Sequence, residues 1–410
     1  MQPNHEIRRK KDLLNHFGSS QKLEILDLEQ IMKLLVMDIP PKIWEDASNR
    51  NLLSFNQEFV QDTDEFIFFG RGIKHIYLIS FLTNLTELSL QNNDISGISS
   101  ISKLKNLKKL YLSINRIKDI SELKSLLNLT HLYLYDNKLT SYTLALPNLV
   151  YLSLSYNKLQ DKSGLQHSPK LEILTLSDTE TTDLQTIGQL FGLKYLNLLS
   201  NNLTEISHLN NFVDLQSLDL GENQQLSNIG ALQFCTQLTY LSISRTSIAD
   251  IWPLQFMKNL NKLEMYLTKV VDLHPLQYLY RLERISVYDA CIIDVSPLSK
   301  LTQLKELNFN CNKITNKDTL KHHQNFSKYA VSNQKVPTTD ELKFYYKILS
   351  IHSSHEQIRK IQAENKISKI RESMTRQREY VNLQINEQIR VENMKIEIWA
   401  QFIQSSEADQ

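Results

Sequence analysis

The sequence predicts an α/β solenoid, a horseshoe with one curved parallel β-sheet, and three observations carry that prediction. The line Leu85-x-x-Leu88-x-Leu90-x-x-Asn93-x-Ile95-x-x-Ile98-x-x-Ile101-x-x-Leu104 recurs at a 22-residue step. Within it, Leu88-x-Leu90 alternates with the period of a short, half-buried strand. The two ends of the chain leave this pattern and differ from the middle in composition. They divide it into a helical N-terminal cap over 1–62, a solenoid of about 12 coils over 63–324 whose first and last coils are degenerate, and a linker with a long helical extension over 325–410.

The repeat starts at Leu85 and can be followed through Leu107, Leu129, Leu149, Leu171, Leu193, Leu215, Leu238, Leu260, Leu282 and Leu304, with one step of 20 residues and one of 23. A three-residue strand is too short to stand alone, so stacked strands must supply one another's core. Asn93, Asn115, Asn137, Asn157, Asn201, Asn223 and Asn312 fall where the chain leaves the sheet. Their side-chain amides can bond backbone groups of adjacent turns, and we read them as a structural ladder. Thr179, Thr246, Thr268 and Ala290 replace them in four turns, which thins the ladder in the second half. On the far side of the coil, Asp250-Ile-Trp-Pro253, Asp272-Leu-His-Pro275 and Asp294-Val-Ser-Pro297 share the same step. A proline there suits the start of a short helical turn.

This pattern resembles the 22-residue class of leucine-rich-repeat proteins, a class that includes phosphatase-regulatory proteins and bacterial internalins. The resemblance implies the horseshoe fold and a protein-binding role, and carries over no functional residue.

Outside the repeat, Leu23, Leu26, Ile31, Leu34 and Leu35 can be drawn on one side of a helix ending near Pro40-Pro41, with a second amphipathic piece from Trp44 to Phe59. From Phe66 a degraded coil appears: Phe66, Phe68, Ile73, Ile76, Ile79 and Leu82 take the core offsets and Arg71 the asparagine position. At the other end, Pro337-Thr338-Thr339-Asp340 marks a helix start, and no glycine or proline follows to Phe402. Ile358, Ile361, Ile367, Ile370, Met374, Val381 and Ile385 keep a rough three-to-four spacing, compatible with a coiled-coil dimer or with a helix docked on the last coil or projecting from it. The basic cluster Lys366, Lys369, Arg371, Arg376 and Arg378 is interleaved with Glu364, Glu372 and Glu379, which reads as a solvated helix face rather than a nucleic-acid patch.

A formal net charge of +1 gives no bias toward nucleic acid or an anionic membrane. The basic, polar start lacks the apolar stretch of a signal peptide, and no run approaches the ~20 apolar residues of a membrane span. Three cysteines without metal-like spacing suggest no disulfide framework and favour a cytoplasmic setting. Four Asn-x-Ser/Thr sites, at Asn84, Asn128, Asn202 and Asn325, carry no meaning there. Gly70-Arg71-Gly72 is too short for a phosphate-binding loop, and no metal, cofactor or catalytic constellation emerges, so a non-enzyme without cofactors is expected.

The outward-pointing places of the unit are its third, fifth, seventh and eighth. They hold Tyr111, Tyr133, Tyr135, Tyr151, Tyr156, Tyr195, Tyr240, Tyr266 and Tyr288, nine of the chain's 17 tyrosines. The same slots hold Asp136, Asp178, Asp219, Glu222, Glu264 and Asp289, with Lys109, Lys262, Arg245 and Arg284 as a minority. Serines such as Ser89, Ser113, Ser153 and Ser155 leave room between rings. A rigid sheet presenting tyrosines and acids reads as a protein-recognition surface on the concave face, since aromatic rings bury large areas at low entropic cost. The sequence therefore predicts a protein-interaction scaffold for a partner carrying Lys or Arg, monomeric or dimeric through its C-terminal helix. The rivals are a phosphatase-targeting subunit, a surface adhesin, and a cytoskeletal attachment made by the dimerised helix.

Overall fold

A computed structural model of the chain describes residues 65–70 and 72–338, together with Glu24–Leu26, Leu53–Phe55, Asp340, Glu341, Lys343, Glu379 and Leu383. Two short strands come first, β1 (Glu24–Leu26) and β2 (Leu53–Phe55), paired in parallel as a separate sheet. Helices were expected at both places. The leucine spacing that suggested a helix also fits the repeat unit: Lys22-Leu-Glu-Ile-Leu26-x-Leu28 echoes Lys170-Leu-Glu-Ile-Leu174-x-Leu176, whose middle forms a strand in the solenoid. The remainder of the expected cap, Arg71 at the asparagine position, and most of the C-terminal extension lie outside the described residues.

Twelve strands of three residues then form one open parallel sheet in simple sequence order. They are β3 (Glu65–Ile67), β4 (Glu87–Ser89), β5 (Lys109–Tyr111), β6 (His131–Tyr133), β7 (Tyr151–Ser153), β8 (Ile173–Thr175), β9 (Tyr195–Asn197), β10 (Ser217–Asp219), β11 (Tyr240–Ser242), β12 (Lys262–Glu264), β13 (Arg284–Ser286) and β14 (Glu306–Asn308). The register is constant within the first part, with Leu88, Leu110 and Leu132 facing one another across β4, β5 and β6. In nine of these twelve strands the central residue is buried and its flanking residues are more open, the alternation expected of a sheet with one face on the core; in β4, β7 and β11 the small Ser89, Ser153 and Ser242 are buried as well. The chain divides into two compact units, the first holding β1 to β10 and the second β11 to β14.

In the first unit the core is an unbroken column of leucines and isoleucines, among them Leu85, Leu90, Ile95, Ile101, Leu107, Leu112 and Leu123, all fully buried. The first coil buries Phe66, Phe68, Ile73, Ile76, Ile79 and Leu82. Asn115 shows how the strands are tied. Its Nδ2 donates to the carbonyls of Leu112 in its own coil and Leu90 in the preceding one, each at 3.0 Å. Its Oδ1 accepts the Ile95 N–H at 3.0 Å. Asn93, Asn137, Asn157, Asn201 and Asn223 repeat the arrangement. Thr179 keeps the bond within its own coil, to Leu176, and leaves Leu159 N–H to bond the Asn157 carbonyl instead.

Short 3₁₀ turns form the reverse side, as at Ser99–Lys103, Ser121–Ser125 and Ser163–His167. Asp119, Asp161 and Asp183 each accept the backbone N–H two residues on, an Asx turn that opens the 3₁₀ segment. An outer row of asparagines, Asn106, Asn128 and Asn148, donates to carbonyls of the preceding coil. The 20-residue coil from Leu129 has no 3₁₀ turn. It runs extended past Ser141, which forms a parallel bridge with Asp161, and it buries Tyr142 completely. The next coil must pass close by, so a Cβ at Gly164 would lie 2.6 Å from the Leu144 amide nitrogen.

In the second unit the prolines Pro253, Pro275 and Pro297 are buried at the starts of 3₁₀ turns, preceded by Asx turns from Asp250, Asp272 and Asp294. Thr246 and Thr268 hold only their own coils, through Ile243 and Met265, as their shorter side chains dictate. Asn312 bonds Val287 and Phe309. One further rung follows within 325–338: Ala330 bridges to Asn308, and Gln334 takes the asparagine's place by donating to the Phe309 carbonyl and accepting Ile314 N–H. Thr338 and Glu341 then make a reciprocal capping box, and Asp340, Glu341 and Lys343 are helical.

Candidate functional site

The outward face of the sheet sorts the predicted tyrosines into two kinds. In the first unit Tyr111, Tyr133 and Tyr151 form a continuous stack, with ring centroids 4.4 Å apart at both steps, and His131 lies parallel to Tyr151 at 6.0 Å. All four are half-buried. The register sets two of these contacts: Tyr111 lies opposite Tyr133 and His131 opposite Tyr151 in adjacent strands, while Tyr133, opposite Ser153, reaches the Tyr151 ring diagonally across the space the serine leaves. Burial and then the Glu87 carboxylate raise the Tyr111 phenol above its ordinary value. Glu87 also holds Lys109 at 2.8 Å, so this end of the stack is closed by its own ion pair. His131 is held below the ordinary histidine value by burial and then by the Lys109 charge, with Glu87 opposing.

Tyr135 and Tyr156 behave differently. They are 37% and 47% exposed, and their rings meet at 5.0 Å with a tilt of 57°. Tyr156 is held in place by a left-handed backbone, φ 58°, which recurs at the same point of successive coils, as at Asp136 (φ 51°) and Asp178 (φ 50°). Tyr195 is also exposed.

The predicted acids sort in the same way. Asp219 accepts the N–H of Gly221, Glu222 accepts the Ser200 hydroxyl, Glu264 pairs with Lys262 and the Tyr240 hydroxyl, and Asp289 pairs with Lys335. Asp136 and Asp178 have no side-chain partner among the described residues. Arg284 faces Glu306 at 3.4 Å. In the second unit Tyr266 and Tyr288 stack almost parallel at 4.7 Å. Sequence reasoning passed over Ile67 and Phe69, 59% and 58% exposed on the first rung. They stand in the fifth and seventh slots of the degraded coil, so the slot rule could have found them.

Among the described residues no group of His, Cys, Asp and Glu could hold a metal ion, and no helix is long and apolar enough to cross a membrane. The three cysteines are free thiols, and burial pushes that of Cys235 up to about 12.

A parallel sheet built from coils of about 22 residues, with an asparagine ladder at most exits from the strand, defines a leucine-rich-repeat solenoid. The chain belongs to the leucine-rich-repeat family. The family model "Leucine Rich repeats (2 copies)" matches residues 83–125 and 107–146, and the single-repeat model "Leucine Rich repeat" matches 145–165. Among solved structures, an internalin from Listeria monocytogenes is 30% identical at a TM-score of 0.56, over 68% of this chain and 77% of that one. A leucine-rich-repeat protein of Leptospira interrogans, 20% identical, shares the fold at a TM-score of 0.52, over 78% of this chain and 94% of that one. Leucine-rich repeat-containing protein 56 of Rattus norvegicus is 34% identical over 110 residues, 26% of this chain. The matched segment spans 20% of the length of that relative and of its Mus musculus counterpart. The fold is that of a protein–protein interaction scaffold, and leucine-rich-repeat proteins are in general non-catalytic binders.

Proposed function

We propose that this chain is a non-catalytic scaffold that holds a protein partner against the outward face of its sheet, with the contact centred on Tyr135 and Tyr156. One observation carries the reading: these two rings stand exposed and in contact with each other, while the neighbouring Tyr111–Tyr133–Tyr151 stack is half-buried and largely satisfied by itself. Paired, exposed aromatics on a rigid sheet are what binding hot spots require, because the rings lose little freedom when a partner covers them. Asp136 and Asp178 beside them favour a partner that brings positive charge. The three free thiols support a reducing, cytoplasmic setting.

The test is affinity capture from a lysate of the source cell with wild type beside a Tyr135→Ala/Tyr156→Ala variant of unchanged circular dichroism. A protein retained by wild type and lost by the variant supports the reading. Identical capture by both moves the contact off these rings.

A further inference from the structure

Three neighbouring coils contribute to one small surface. Tyr135 and Asp136 lie just past β6, Tyr156 just past β7, and Asp178 just past β8. Asp136, Tyr156 and Asp178 occupy the same place of their coils with the same left-handed backbone, so they stand in a row at about the 4.8 Å strand spacing. The order across the row is carboxylate, ring, carboxylate, and Tyr135 leans on the central ring from the side at 5.0 Å. Asp136 is near enough to Tyr135 to help raise its phenol pKa, after burial and Tyr156.

Three of the nearby cations are engaged elsewhere. Lys158 pairs with Glu180 at 3.2 Å, Arg116 with Asp94 at 2.8 Å and Lys109 with Glu87 at 2.8 Å. Lys138 is exposed and makes no ion pair with Asp136 or Asp178. Two carboxylates and the negative faces of two rings are thus left without an internal positive group among the described residues.

We propose that this row is a recognition site for an arginine side chain of the protein partner. The inference rests on the scaffold reading and deepens it. A guanidinium is flat, so it stacks on one ring face while its edge donates in fork fashion to a carboxylate beside that ring. The row offers a ring with a carboxylate on either side, which suits that double demand. A lysine ammonium is a compact point charge that makes no planar stack and no bidentate bond. The two rings meet in an open V rather than a closed box, which also favours a flat group entering edge-first.

The full chain is labelled with 3-fluorotyrosine, and the Tyr135 and Tyr156 fluorine resonances are assigned by Tyr→Phe substitution. The probes are acetyl-Gly-Ser-Arg-Ser-Gly-amide and its citrulline and lysine counterparts. Both resonances are expected to shift with the arginine peptide. Binding should weaken about tenfold or more with citrulline, which keeps the shape and removes the charge. Asp136→Asn/Asp178→Asn should weaken arginine binding by a similar factor while leaving thermal unfolding unchanged. Citrulline or lysine binding as tightly as arginine overturns the proposal, as does the absence of any shift at millimolar arginine peptide. A partner captured from lysate through Tyr135 and Tyr156 in the face of that result leaves the scaffold reading standing and removes the arginine assignment alone.

Discussion

Replacing Asn115 with alanine isolates the asparagine ladder, and the structure sets the size of the effect. The Leu90 and Leu112 carbonyls that accept from Asn115 each accept from a second asparagine as well, Asn93 and Asn137 respectively. Both carbonyls therefore keep one bond in the variant. The Ile95 N–H, buried and bonded only to the Asn115 Oδ1, keeps none. An orphaned buried donor costs about 1–3 kcal/mol, and the small cavity adds to it, for a total of about 2–4 kcal/mol. Asn115→Thr fills part of the cavity, but its hydroxyl reaches only the carbonyl within its own coil, as Thr179 reaches Leu176 at 2.8 Å, and leaves the Ile95 N–H without the Oδ1, so most of the loss should remain. Urea denaturation followed by circular dichroism measures both. A loss below about 0.5 kcal/mol for the alanine variant, or a threonine variant as stable as wild type, would refute the ladder as a source of stability.

Four further outcomes follow from the same geometry. Tyr133→Ala removes a ring stacked on both faces and should cost about 2–4 kcal/mol, while Tyr135→Ala costs under about 1; equal losses in thermal melts would refute the division of the tyrosines. Gly164→Ala places a Cβ against the backbone of Thr143 and Leu144 and should destabilise by about 3 kcal/mol or lower the folded yield, and a variant that melts like wild type contradicts the tight passage. Ile114 is a β-branched, 41% exposed residue at φ 57°, so Ile114→Asn should raise stability by about 1 kcal/mol, and a lower melting temperature would count against it. His131 has a folded pKa below its unfolded value, so its contribution is complete above about 6.5 and is lost as pH falls through the folded value. Lowering pH from neutrality to about 5 should therefore reduce the melting temperature more in wild type than in His131→Gln, and equal reductions would remove His131 as the cause.

The solenoid could be read from the chain because its cause is periodic: a leucine every 22 residues can be buried only by stacking, and the asparagine that ties Leu90 to Leu112 recurs with it. The turns opened by Asp119 and Asp161 went unread, since a single aspartate before a serine is common and its meaning comes from the 3₁₀ segment that follows. At Leu23 to Leu26 a three-residue leucine spacing fits a helix and a repeat strand alike, and a lone copy has no period to decide between them. The site was legible as a set of slots. Which tyrosines stand free was not, because the answer depends on partners one coil away: Glu87 and Tyr133 flank Tyr111, while the places beside Tyr156 in the adjacent coils hold Asp136 and Asp178. The acids divide for the same reason, Asp289 meeting Lys335 from far along the sequence and Asp178 meeting none among the described residues.

The central claim, that a partner lies on the sheet face, is tested most directly by photo-crosslinking. A benzophenone amino acid placed at Tyr156 on the sheet face is compared with one placed at Glu122, exposed on the 3₁₀ side of an earlier coil. The account predicts a discrete crosslinked protein from position 156 and none from 122. Crosslinks of the same protein from 122 alone, or equally from both, would contradict it.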